Sequence, residues 1–154
     1  MRFAEFRAGQ ELRAGPYKVS EAEIIDFASR YDPQWFHTDP RAAAAHHFGG
    51  LVASGWLTCA IAMRLIVEVA LAGSESLASP GIEQIKWPAA VRPGDELRLT
   101  ATVLDARHAN SRPTLGILRW RWQLHNQQHV EVVDLVATSL FNLNSCSSKQ
   151  KAPL

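Results

Sequence analysis

Apolar residues recur with one spacing in the first half of the chain and another in the second. Up to about residue 72 they fall three or four apart, as on a helix face; beyond it they alternate with polar residues, as on a strand. Ser20-Glu21-Ala22-Glu23 has the form of a capping box and predicts a helix running to about residue 31. Ile24, Phe27, Ala28 and Tyr31 form its apolar stripe, and Glu23, Asp26 and Arg30 its wet face. Pro33 ends it, because the residue before a proline is driven from helical toward extended geometry. Asp39-Pro40 then reads as an N-cap followed by proline at the first helical position, opening a short alanine-rich turn through Ala45. After the glycine loop at residues 48–55, with Ser54 as a cap, residues 56–71 predict a helix that is apolar almost all round. Such a helix is expected to be surrounded by protein. Gly73 supplies its C-terminal stop.

In the second half, Leu97, Leu99, Ala101 and Val103 face one way, and Arg98, Thr100 and Thr102 the other. Leu118, Trp120, Trp122 and Leu124 alternate with Arg119, Arg121 and Gln123, and Val130, Val132 and the run to Phe141 form another strand. A further strand is predicted over residues 82–87, with Pro88 marking an edge or bulge. Turn residues separate them at Arg92-Pro93-Gly94-Asp95, Ser111-Arg112-Pro113 and Asn126-Gln127-Gln128. The expectation is an α+β domain over residues 1–143, an antiparallel sheet wrapped around one buried helix, with a disordered polar tail at 144–154. Four strands cannot enclose a helix on all sides, so a second copy of the chain is expected to complete the burial.

Composition narrows the function classes. A chain of 154 residues suits one core, and the net charge of +1, without a basic block, argues against nucleic acid. The apolar helix carries Arg64 and Glu68 near its middle and falls short of a usual membrane span. Residues 1–6 lack the apolar core of a signal peptide, so a cytoplasmic protein is expected. Cys59 and Cys146 cannot make a disulfide framework.

The segment with chemistry in it is Tyr31-Asp32-Pro33-Gln34-Trp35-Phe36-His37. On an unbroken helix Asp32 and His37 would sit on different faces; the break at Pro33 lets the segment curl and bring both to one point. A carboxylate and an imidazole sharing one water make an acid/base pair, and the ordinary pKa of histidine suits it to work near neutrality. A structural reading stands beside this one: Asp32 caps the turn before Pro33 and His37 is a hydrogen-bonded loop histidine. The glycine loop leading into an apolar helix favours chemistry. A helix N-terminus offers free N–H groups and a positive dipole end, which could hold a thioester oxygen gaining enolate charge.

Asp32 to His37, followed by Phe48-Gly49-Gly50-Leu51-Val52-Ala53-Ser54-Gly55, resembles the MaoC-like dehydratases, relatives of the (R)-specific enoyl-CoA hydratases. The family signature reads roughly G-D-x-N-P-[LIV]-H. This chain keeps the Asp and the His at their spacing, with Tyr31 for the glycine, Gln34 for the asparagine, Trp35 for the proline and Phe36 for the aliphatic residue. Val91-Arg92-Pro93-Gly94-Asp95-Glu96-Leu97 is similar to a strand-joining turn of the same family. The resemblance spans roughly residues 19–142 and implies the hot-dog fold, with Asp32 and His37 as the catalytic pair. Ser54 and Gly55 would support that pair and supply the oxyanion-binding amide. Trp35, bulky and between the two candidates, is expected with Phe36 to shape the acyl pocket. The implied reaction adds or removes water across the double bond of an acyl-CoA or acyl-carrier thioester, in a homodimer without metal or redox cofactor.

Other candidates are weaker. His46 and His47 are adjacent and lack a Cys or carboxylate cluster, which disfavours zinc. Arg119 and Arg121 share a wet strand face and, with Arg107 and Arg112, could meet the phosphates of coenzyme A; exposed arginines need no such role. A Ser54-His37-Asp32 hydrolase triad is disfavoured because Ala53-Ser54-Gly55 lacks the strained nucleophile elbow. Within the fold, a thioesterase is the rival enzyme and a non-catalytic acyl-CoA or lipid-binding protein the rival of another class.

Overall fold

A computed structural model describes residues 1–45 and 47–144. The expected tail beyond Asn144, Cys146 and His46 lie outside the described residues. The described residues form five strands and four α-helices, after a 3-10 turn at Phe3–Glu5: β1 (Glu11–Lys18), α1 (Glu21–Tyr31), α2 (Trp35–Thr38), α3 (Pro40–Ala44), α4 (Gly55–Ile66), β2 (Ser76–Lys86), β3 (Glu96–Ala109), β4 (Arg112–His125) and β5 (Glu131–Asn142). A π-helical turn over Val67–Leu71 extends α4, so the continuous helical stretch ends where the sequence places it. No helix among the described residues is long and apolar enough to cross a membrane.

The sheet is antiparallel throughout, in the order β1-β3-β4-β5-β2, and α4 lies on one face of it. Alternation decides which side chains meet the helix. Leu97, Leu99, Ala101 and Val103 of β3 and Leu118, Trp120, Trp122 and Leu124 of β4 are all buried in the core. Leu57, Ile61, Leu65 and Ile66 of α4 join them there. This is the α+β arrangement that the sequence pattern predicts, and the hot-dog fold that the family resemblance implies.

The expectation of four strands needs correction. The sequence pattern missed β1, because Gly15-Pro16 interrupts it and a proline reads against a strand. The structure accommodates the pair as a bulge between Ala14 and Tyr17 on the sheet edge, where a missing N–H breaks no ladder. Glycine is required there: Gly15 has φ +103°, and a Cβ would lie 2.7 Å from the Leu97 carbonyl oxygen. Similarly, β2 starts at Ser76 rather than at 82 and carries Pro80 along the other edge. The helix α4 is not enclosed by its own chain, in line with the shortage of strands expected from the sequence. Trp56 is 58% exposed, and Met63 and Val67 are exposed on the same helix, because the sheet covers only one side of it.

Candidate active site

The site is assembled by the caps of three short segments. Ser20 accepts from the Glu23 amide at 3.1 Å and starts α1, and Asp32 ends the helix with φ −152° and ψ 66°, as expected for a residue before proline. The single turn α2 then rotates His37 inward until only 7% of it is exposed. Next, Asp39 caps α3 through the Arg41 and Ala42 amides, at 2.9 and 3.0 Å. The following loop is stitched to both layers: Val52 N–H reaches the Phe36 carbonyl at 3.3 Å and Ala53 N–H the Val91 carbonyl at 2.8 Å. Those bonds deliver Ser54, fully buried, to the N-terminus of α4.

Four of the six sequence candidates converge there. Ser54 Oγ donates to Asp32 Oδ2 at 2.7 Å and accepts from the Trp56 amide at 3.3 Å, so one hydroxyl caps the helix and holds the carboxylate. His37 Nε2 lies 3.4 Å from the same Oδ2. His37 Nδ1 is 2.7 Å from the Val52 carbonyl oxygen; a carbonyl only accepts, so Nδ1–H donates there and Nε2 is the ring nitrogen turned toward Asp32. Gln34, unassigned from the sequence, donates its side-chain amide to Asp32 Oδ1 at 2.7 Å. The Ser54 hydroxyl chiefly lowers the Asp32 pKa below the ordinary carboxylate value. Burial opposes that effect, and Gln34 and His37 reinforce it. Asp32 is therefore a held carboxylate at neutral pH.

A cavity of about 410 Å³ opens at this point, lined by Asp32, His37, Gly55, Thr58, Phe48 and Trp87 among others. Gly55 is the first residue of α4, and its N–H group is among those that a helix leaves without an internal partner. Trp35 and Phe36, expected in the acyl pocket, do not line this cavity. Trp35 is 44% exposed and packs edge-on against Phe36, which stands behind the cavity wall against His37 and Phe48, with ring centroids 4.4 and 6.1 Å apart. The reason is helical phase: the turn that directs His37 inward directs Trp35, two residues earlier, away. Val52, Thr58 and Trp87 had no local signal, since each is brought in from 15 or more positions beyond His37.

Three of the four arginines weighed as phosphate ligands are paired with carboxylates. On the outer face of the sheet Arg119 makes two 2.7 Å bonds to Glu83, Arg121 binds Asp134 at 2.7 and 2.9 Å, and Arg107 pairs with Asp105 at 3.2 Å.

A hot-dog domain with an Asp–His pair at the N-terminus of its central helix is the class defined by this geometry. The comparisons with known proteins make it specific: the MaoC-like domain family matches residues 4–116, and the chain belongs to that MaoC-like dehydratase family. The uncharacterized protein YdeM of Bacillus subtilis (strain 168) is 34% identical over 134 residues, 87% of this chain and 94% of that protein. A 3-hydroxyacyl-thioester dehydratase Z of Mycobacterium tuberculosis is 33% identical over 88 residues, 56% of this chain and 58% of the relative. Among solved structures, the MaoC-like dehydratase from Rhodospirillum rubrum superposes with a TM-score of 0.85 at 35% identity, covering 93% of this chain and 97% of that one.

Proposed function

We propose that the protein adds water to, or removes it from, the 2,3 bond of an acyl thioester, using Asp32 and His37 on one water. The observation that carries this reading is the 3.4 Å approach of His37 Nε2 to Asp32 Oδ2 at the cavity wall, with both groups fixed from behind by Val52, Ser54 and Gln34. A water between two acceptors donates a hydrogen to each. As its oxygen attacks C3, one of the pair takes a proton from that water and the pair returns a proton to C2, so that the H and OH of one water add across the double bond. The Gly55 amide, at the positive end of α4, would hold the thioester oxygen as charge develops on it. Dehydration runs the same steps in reverse. Every proton in this scheme comes from water or the pair, so the reaction needs no metal or redox cofactor. The carrier is coenzyme A or an acyl carrier protein, and the compartment the cytoplasm.

The working form is proposed to be a homodimer. Trp56, which lines the cavity, is exposed together with Met63 of α4 and Val67 of the π-helical turn, and β2 is an open edge of the sheet; a second copy could cover both. The experiment is an assay of 2-enoyl-CoA and 3-hydroxyacyl-CoA thioesters followed by the absorbance of the conjugated enoyl group, with light scattering on the same sample. Turnover in both directions by a dimer is expected. A folded protein that leaves every thioester unchanged would overturn the activity, and a stable monomer at micromolar concentration would overturn the assembly.

A further inference from the structure

Trp87 follows the last residue of β2 and lies 32 positions from Gly55, yet the two form one unit. The indole Nε1–H donates to the Gly55 carbonyl oxygen at 3.0 Å. Its ring also lies directly on the glycine: a Cβ at position 55 would stand 2.6 Å from Cε2, 2.7 Å from Nε1 and 2.9 Å from Cδ2. Those distances are shorter than real Cβ contacts, so the ring occupies the volume that any side chain at 55 would need. The Trp56 ring meets Trp87 edge-on, with centroids 5.5 Å apart, and buttresses it. Both tryptophans line the cavity, as do Pro88, Ala89 and Ala90 immediately after.

Consecutive residues at the start of α4 thus meet different partners. Ser54 holds Asp32, and Gly55 carries Trp87 on its face. In the hydratase reading, on which this inference rests, the thioester oxygen docks on the Gly55 amide, which places C1 beside the indole and C2 one bond further on. The acyl chain beyond C3 leads away from Gly55. A wall stacked on Gly55 therefore meets the thioester end of the substrate and not its tail. We propose that Trp87 is a specificity-determining residue that excludes substituents on C2, so that the substrates are acyl thioesters unbranched at that carbon.

The test compares but-2-enoyl-CoA, its 2-methyl derivative and oct-2-enoyl-CoA with the wild-type protein, Trp87→Ala, Trp87→Leu and Trp87→Phe. One methyl group against a packed wall is discriminated by about tenfold or more in kcat/KM. The wild type should prefer the unbranched four-carbon substrate over the 2-methyl compound by at least that ratio. Trp87→Ala and Trp87→Leu should reduce the ratio about tenfold, Trp87→Phe should keep most of it, and the ratio between the two unbranched chain lengths should stay put. A merely structural role would lower all three substrates together. An unchanged branched-to-unbranched ratio in both small variants, or a wild type that accepts the 2-methyl compound equally well, would overturn the proposal. Should the wild type turn over none of them, the hydratase reading fails. Calorimetric binding of butanoyl-CoA against 2-methylbutanoyl-CoA then judges the wall alone: equal affinities in wild type and Trp87→Ala would sink it, and a discrimination lost in Trp87→Ala would support it.

Discussion

The two faces of this domain use charge in opposite ways. On the outer face of the sheet, Arg121 closes on Asp134 through two short bonds and Arg119 closes on Glu83 the same way, so each carboxylate meets a permanent cation with matched geometry. At the head of α4, Asp32 meets a hydroxyl, an amide and, at 3.4 Å, an imidazole. Both arrangements lower the carboxylate pKa, with Arg121 the main cause at Asp134 and Ser54 at Asp32. They differ in what is left over. A bidentate arginine pair is saturated and holds strands together. The Asp32–His37 pair is positioned from behind and faces a cavity, with no permanent cation among the described residues closing on the carboxylate.

That contrast is best broken at its strongest point. His37→Ala and Asp32→Asn should each lower kcat and kcat/KM together by about 10²–10⁴-fold, and the double variant should cost little more than the worse single one, because both act on one water. Melting temperature should move only modestly. Turnover and melting measured on the same three proteins decide between this and the structural alternative, in which loss of a cap at Asp32 removes about 1 kcal/mol of stability and leaves turnover per folded molecule intact.

Ser54→Ala sharpens the comparison with a smaller effect. Losing a hydrogen bond to a charged group is worth roughly 1.5–3 kcal/mol, so activity should fall about tenfold or more. The pKa of Asp32 should rise, as read by carboxyl NMR titration, because the hydroxyl is the largest influence holding it down. The sign for stability follows from the same fact. A carboxyl with a lowered folded-state pKa stabilises the protein above its unfolded pKa, and that contribution is lost as pH falls through the lowered value. Ser54→Ala should therefore flatten the loss of stability below the usual carboxylate range. An unmoved Asp32 titration would break the assignment of Ser54 as its holder.

The outer face should respond the other way round. Arg121→Ala leaves the buried Asp134 carboxylate without its main partner and should cost about 1–3 kcal/mol of stability with kcat/KM unchanged. Arg119→Ala, in a pair exposed to water on both sides, should change neither melting nor turnover measurably. A loss of thioester affinity in either variant, by calorimetry, would return these arginines to the substrate.

Much of the architecture was legible in the chain because local rules dictate it. Ser20 capping Glu23, the stop at Pro33, the Asp39-Pro40 start and the inward alternation of Leu97 to Val103 all concern neighbours within a few residues. The pairing of Asp32 with His37 was legible for the same reason, since a proline-broken segment of six residues has few ways to curl. Local rules also produced the misses. Gly15-Pro16 reads as a break until a neighbouring strand is present to accept the bulge, and Trp35 reads as central until the phase of α2 is known.

The sequence by itself thus determined where elements start and stop, which strand faces are apolar, and which acid and base could act together. Tertiary structure alone decided what surrounds them. Val52 orients His37 from 15 residues away, Ser54 reaches back 22 residues to Asp32, and Trp87 covers Gly55 across 32. Backbone preferences act over a turn or two of chain. Contacts at these separations exist only once the sheet has closed on α4, when the burial of apolar side chains fixes the distance between segments that no local preference relates.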